Sequence, residues 1–151
     1  NIDDTLSPRG WDKGSDHIVT DCQTVMHKPI EYSSRTPHID TPREIYAGLL
    51  YMPYQDDKSS GGEFQLHETV AEVTEVNKNG GRAVGDKAGA IVKSVPYRRN
   101  TFVMFCNNST GTVHSVSARK DATLYRRSVN IIAEFNRAAK RSMFYVKELR
   151  K

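Results

Sequence analysis

The sequence predicts an all-β domain, a sandwich or a barrel, and three observations carry that expectation. Short β-branched or aromatic segments succeed one another over most of the chain, separated by Gly, Asn, Ser and Asp. Several of them alternate apolar and polar residues, the period of a strand with one buried face. Helix-forming texture is confined to the last stretch, NRAAKRSMFYVKELRK, residues 136–151.

The elements follow in order. Residues 1–31 are rich in Asp, Ser, Gly and Thr, and their apolar pieces HIVT and TVM read as an opening strand or as loops. IYAGLLYMPY, residues 45–54, is a nearly continuous apolar run ended by Pro53 and by QDDKSSGG, which suits a buried strand and a turn. In GEFQLHE, residues 62–68, Phe64 and Leu66 alternate with Glu63, Gln65 and His67, so His67 is expected to be exposed and Glu63 to lie on the outer face. VAEVTEV alternates as well, and NKNGGRAVGDKAG, with Gly80 and Gly81, reads as a loop flanking a cavity mouth. AIVKSVPY, NTFVMFCN, TVHSVS and LYRRSVNIIAEF complete a set of six or more short strands.

A chain of 151 residues supplies one domain and one sizeable core. The expected organisation is a β core over residues 32–136, an N-terminal segment over 1–31 and a basic tail or helix over 137–151. The chain opens on Asn1, which leaves room for an upstream segment that was removed or is missing from this sequence. The net charge is +4, but residues 137–151 hold six cations against Glu148, +5 net, which leaves −1 for the rest. A basic tail on a near-neutral domain argues against a nucleic-acid-binding face. Only Cys22 and Cys106 are present, too few for a disulfide scaffold, and Cys106 inside TFVMFC is expected to be a buried free thiol. With no apolar run near the roughly 18 residues that span a bilayer, the reading is a soluble, cytoplasmic protein with no membrane partner.

The chemistry is carried by RTPHIDTPR, residues 35–43. His38 and Asp40 are one residue apart, so on a strand both side chains face the same way and can converge on one ion. The prolines, Pro37 and Pro42, read as marks of a strand edge. A third ligand stands 74 residues beyond Asp40, His114 in the alternating GTVHSVS. Two histidines and a carboxylate form the facial triad of non-haem Fe(II) oxygenases, whereas zinc more often takes a closed four-ligand set. Twelve residues after His114 comes LYRRSVNI, in which Arg126, Ser128 and Asn130 share one strand face. A guanidinium and a hydroxyl on that face suit a buried carboxylate, because the planar fork binds it bidentately and stays charged when desolvated. A one-residue slip would turn Arg127 inward instead. His17 and His27, in the irregular N-terminal part, read as surface or loop histidines.

The order HxD, distal His, RxS resembles the 2-oxoglutarate and Fe(II)-dependent dioxygenases, in particular the prolyl-4-hydroxylase-like branch. YAGLLYMPY followed by SSGGEFQLHE, and RRNTFVMFCNNSTGTVHSV, resemble segments of that branch, and the likeness covers roughly residues 32–136. The resemblance implies a double-stranded β-helix, a cupin-like jelly roll with minor helix, mainly C-terminal. It implies that His38, Asp40 and His114 hold Fe(II), that Arg126 and Ser128 bind the distal carboxylate of 2-oxoglutarate, and that Tyr51 hydrogen-bonds the same carboxylate. The implied reaction couples oxidative decarboxylation of 2-oxoglutarate by O2, giving succinate and CO2, to hydroxylation of an unactivated C–H bond, with ascorbate as a reductant. A prolyl or other amino-acid side chain, or a small metabolite, would be the substrate, and the oligomeric state is left open. Two other readings stand beside it. One is a cupin-type metal-binding module without catalysis, which has no use for a 2-oxoglutarate clamp. The other is a nucleic-acid demethylase, disfavoured because the additional arginine of those enzymes, six positions on, is replaced by Ile132, or by Ala133 counted from Arg127.

Overall fold

The computed structural model describes residue 12 and residues 14–30, 35–68, 82–107 and 112–136. The VAEVTEV segment, Gly80 and Gly81, and the basic tail lie outside them. The described residues form antiparallel β-sheets with a single short 3-10 turn, Gly85–Lys87, as their helical element. The strands are β1 Ile18–His27, β2 Arg35–Ile39, β3 Glu44–Tyr51, β4 Ser60–Gly61, β5 Phe64–His67, β6 Arg82–Ala83, β7 Ile91–Val95, β8 Phe102–Cys106, β9 His114–Val116, β10 Arg119–Lys120 and β11 Arg126–Phe135. The IVT of HIVT and TVM are thus parts of one ten-residue strand, paired with β11 along its whole length.

Two sheets make the body, one in the order β1-β11-β3-β8 and the other in the order β6-β2-β9-β5-β7. β4 and β10 form a small third ribbon. The side chains that meet between the large sheets come from both. Tyr51 of β3, Phe64 of β5 and Val103 of β8 form one buried cluster, with Leu49, Leu66, Val95, Tyr97 and Phe105 packed against it. Burying a side chain the size of Phe64 stabilises by about 1.5 to 3 kcal/mol, so this cluster is what presses the sheets together. Ile39, Val84 and Val113 close a second cluster beside β2, and Ile45, Ala133 and Phe135 a third at the far end of β3 and β11.

Three expectations are corrected by this packing. His67 is buried, because β5 is covered on that face too: its Nδ1 meets the Gly89 carbonyl at 3.1 Å and its Nε2 the Ser115 hydroxyl at 2.8 Å. Cys106 is exposed, because β8 ends its sheet and buries only the face that carries Val103; Cys22 is also exposed, and both thiols are free. Pro37 lies inside β2, not at its edge. The β2–β9 register shifts between Arg35 and His38, and at such an irregularity a residue without N–H loses no ladder bond, while the Pro37 carbonyl accepts the Val84 N–H at 2.9 Å.

The two glycines of SSGGEF are required by conformation. Gly61 and Gly62 have φ of +84° and +79°, and a Cβ on Gly61 would stand 1.9 Å from the Ala118 carbonyl oxygen. Their turn places the Gly62 carbonyl toward Arg126, which matters below.

Candidate metal centre and its cavity

The two histidines come from neighbouring strands of the same sheet. His38 of β2 is directly opposite His114 of β9, their ring centroids 4.3 Å apart, and Asp40 follows immediately after β2. Asp40 Oδ1 is 3.5 Å from His38 Nε2, and Oδ2 is 3.5 Å from His114 Nε2. One ligand atom from each of the three lies within 4.8 Å of the others, so the group could hold a metal ion. Thus strand spacing does bring His38 and Asp40 together, and strand pairing adds His114.

Hydrogen bonding fixes which nitrogens point inward. His38 Nδ1 is 2.7 Å from the Thr36 carbonyl and His114 Nδ1 is 3.0 Å from the Thr112 carbonyl. A carbonyl only accepts, so each Nδ1 carries the proton and each Nε2 presents a lone pair. Such a backbone bond is the usual way a ligating imidazole is oriented. His114 is buried, and burial drives its pKa down to about 4, with Asp40 pulling it upward and His38 downward. For Asp40, burial raises the pKa, but the facing side chains of His38 and His114 outweigh it and hold the carboxyl below its ordinary value. The centre therefore turns two imidazole Nε2 atoms and a carboxylate to one point, a donor set that suits a divalent cation.

The triad opens into a cavity of about 210 Å³ between the large sheets. β11 lines it with Arg126, Ser128, Asn130 and Ile132, which settles the phase of the RxS strand: Arg126 is 2% exposed and faces inward. Arg127 faces out, its Nε donating to the Met52 carbonyl at 3.0 Å and its guanidinium resting 3.5 Å from the Tyr54 ring centre. Arg126 Nε donates to the Gly62 carbonyl at 3.2 Å, and its guanidinium stands 4.9 Å from the ring centres of both Tyr51 and Tyr97. Its Nη2 is buried without a hydrogen-bond partner, and so is the Tyr51 hydroxyl. Burial lowers the Arg126 pKa and raises that of Tyr51, with each partner's field opposing the shift in the other. Ser128 donates to Asn130 Oδ1 at 2.8 Å, so its hydroxyl has to rotate before it can donate elsewhere. A buried guanidinium N–H and a phenol O–H with no acceptor suit an anion arriving through the cavity.

Four polar lining residues were not singled out in the sequence: Gln23, Arg35, Glu44 and, as a cavity residue, His27. His27 ends β1 and faces the cavity opposite Arg126, so it is not a surface or loop histidine. Its signal was present as the alternation Gln23, Val25, His27, once those residues are taken as one strand. His17 is exposed, as expected. Glu63 sits just before β5, partly buried, its N–H donating to the Ser117 hydroxyl at 3.1 Å. Among the described residues no helix is long and apolar enough to cross a membrane.

The fold and site define an all-β protein with a His/Asp/His group, able to hold a metal ion, inside a cavity between two sheets. Comparison with models of protein families, with curated proteins and with solved structures gave no match in any of the three.

Proposed function

We propose that this chain is a non-haem Fe(II) and 2-oxoglutarate-dependent dioxygenase, a hydroxylase built on a double-stranded β-helix of the jelly-roll kind. The observation that carries the reading is the pairing of two unlike groups in one cavity: a three-donor cluster that suits a divalent cation, and a buried arginine whose Nη2 lacks an acceptor. 2-Oxoglutarate carries both complementary ends, a keto-acid head for the metal and a distal carboxylate for Arg126. The resemblance in residue order, HxD, distal His, RxS, supports the same assignment.

In this reading His38, Asp40 and His114 hold Fe(II), and Arg126, with Tyr51 and a rotated Ser128, holds the distal carboxylate. Iron, when bound, supplies the redox chemistry that couples O2 and 2-oxoglutarate to C–H hydroxylation. The chain's own contribution is placement. Two backbone carbonyls orient the imidazoles, the Gly62 carbonyl orients the guanidinium, and Phe64 and Phe105 wall the cavity beside His114, their ring centres 5.6 and 4.5 Å from its ring. Such walls keep bulk water from the reacting groups.

The test is direct. Purified protein given Fe(II), 2-oxoglutarate, ascorbate and O2, without a second substrate, should form succinate slowly, and formation should stop under anaerobic conditions or with a chelator. Absence of O2-dependent succinate, with metal bound, would leave a metal-binding module without catalysis.

A further inference from the structure

Among the described residues four buried side-chain polar atoms lack a hydrogen-bond partner: His27 Nδ1, Tyr51 Oη, Arg119 Nε and Arg126 Nη2. Arg119 is otherwise enclosed in an ion pair with Asp57. Of the other three, His27 and Arg126 line the cavity and Tyr51 lies beside Arg126. His27 stands directly opposite Arg126 in the β1–β11 register, and Tyr51 lies under the Arg126 guanidinium at 4.9 Å and opposite Ser128 in the β11–β3 register. Unsatisfied buried polar groups are costly and uncommon, and three from three adjacent strands at one place indicate a shared missing partner. Each can present an N–H or O–H, so an acceptor with several lone pairs would complete all three.

Resting on the 2-oxoglutarate reading, we infer that His27 is a third donor at the Arg126 end of the cavity: its ring N–H binds the distal carboxylate together with Arg126 and Tyr51 and positions the cosubstrate. A carboxylate has two oxygens and about four lone-pair sites, enough for all three groups. The surroundings of His27 add a signature. Among the described residues, Arg126 from β11 and Arg35 from β2 face it, both cationic, and burial first, then these two charges, hold its pKa below the ordinary value. The ring is therefore neutral near pH 7. A carboxylate that cancels the Arg126 charge raises the pKa of the ring, so binding takes up protons and tightens as pH falls from about 7 toward 6.

Calorimetric titration of 2-oxoglutarate into the Mn(II)-loaded protein near pH 7, in two buffers of different ionisation heat, reads affinity and proton uptake together. Wild type should bind with fractional proton uptake. His27→Leu should weaken binding about tenfold with Mn(II) affinity unchanged. His27→Asn, which keeps an N–H near the Nδ1 position, should recover most of the affinity but show clearly smaller uptake, the remainder coming from Glu44. Should His27→Leu not fold, His27→Asn alone decides, and undiminished uptake in it overturns the proposal. Unchanged affinity in His27→Leu, with weakened binding in Arg126→Ala, overturns the role of His27 and leaves the cosubstrate site standing. No 2-oxoglutarate binding by wild type overturns both.

Discussion

Arg119 and Arg126 are both buried, at 4% and 2% exposure, and they are arranged in opposite ways. Arg119 has its charge answered by protein: Nη2 meets Asp57 Oδ1 and Oδ2 at 3.1 and 2.8 Å and the Ser59 hydroxyl at 2.5 Å, while Nη1 donates to the Leu124 carbonyl at 2.7 Å. Among the described residues no carboxylate pairs with Arg126, which keeps one bond, to Gly62, and turns toward the cavity. The first arrangement clamps the β4–β10 ribbon to the turn before β4 and has no access to the cavity. The second leaves a desolvated charge on the cavity wall, a state that proteins maintain at a cost of several kcal/mol unless a ligand completes it. The lesson is that burial alone does not separate a structural arginine from a binding one. What separates them is whether the protein itself supplies the counter-charge.

The candidate metal centre belongs with the open class, since its three donor atoms are turned toward one another at the cavity wall. His38→Ala or Asp40→Ala should therefore abolish Fe(II)-dependent succinate formation, a loss of more than about a hundredfold, while the melting temperature stays within a few degrees of wild type. Full turnover in either variant would end the triad assignment, and a collapse of the melting temperature would move these residues into the structural class.

The closed class should show the reverse. Asp57→Ala leaves the Arg119 charge buried and unanswered and should cost about 3 to 5 kcal/mol of stability, measured by chemical denaturation, with 2-oxoglutarate affinity unchanged. Arg126→Ala sharpens the contrast. It should weaken 2-oxoglutarate at least about tenfold, roughly 1.4 kcal/mol, while stability holds or rises, because a buried unpaired charge is removed. A large stability loss with intact affinity would make Arg126 a second Arg119.

The parts of this picture that could be read in the sequence are those set by local period. His38 and Asp40 share a face because strand side chains alternate, and the RxS strand presents Arg126 and Ser128 together for the same reason. The choice between Arg126 and Arg127 needed the register of β11 against β1 and β3, a long-range quantity. The same limit hid His27. Its cavity role depends on β1 pairing residue by residue with a strand about a hundred positions later, and no local pattern in TVMH carries that pairing. His67 and Cys106 were misread for a related reason. Alternation reports that a strand has two faces, but which face is covered depends on neighbours: β5 is covered on the His67 side by Gly89 and Ser115, and β8 ends its sheet with Phe102, Met104 and Cys106 outward. Glu44 escaped notice because it opens a nearly all-apolar strand, where a carboxylate reads as a boundary.

Glu44 carries the contrast over to acids and gives the smallest expected effect. It lines the cavity near Asp40, and burial first, then the Asp40 charge, raise its pKa from 4.5 to about 7, against the hydrogen bond it accepts from Thr41 at 3.2 Å. Because the folded pKa lies above the unfolded one, the stability this group contributes is fully present below about pH 4.5 and is lost as pH rises through 7. Glu44→Gln imitates the protonated form, so in chelator-treated protein it should match wild type near pH 5 and exceed it near pH 8. Allowing for partial solvent screening, the gain should be about 1 kcal/mol, read from denaturation curves at the two pH values. Added metal should shrink that gain, since a cation beside Asp40 offsets the repulsion that Glu44 meets. A gain equal at both pH values and indifferent to metal would detach Glu44 from the centre and make it an ordinary buried acid at the start of β3.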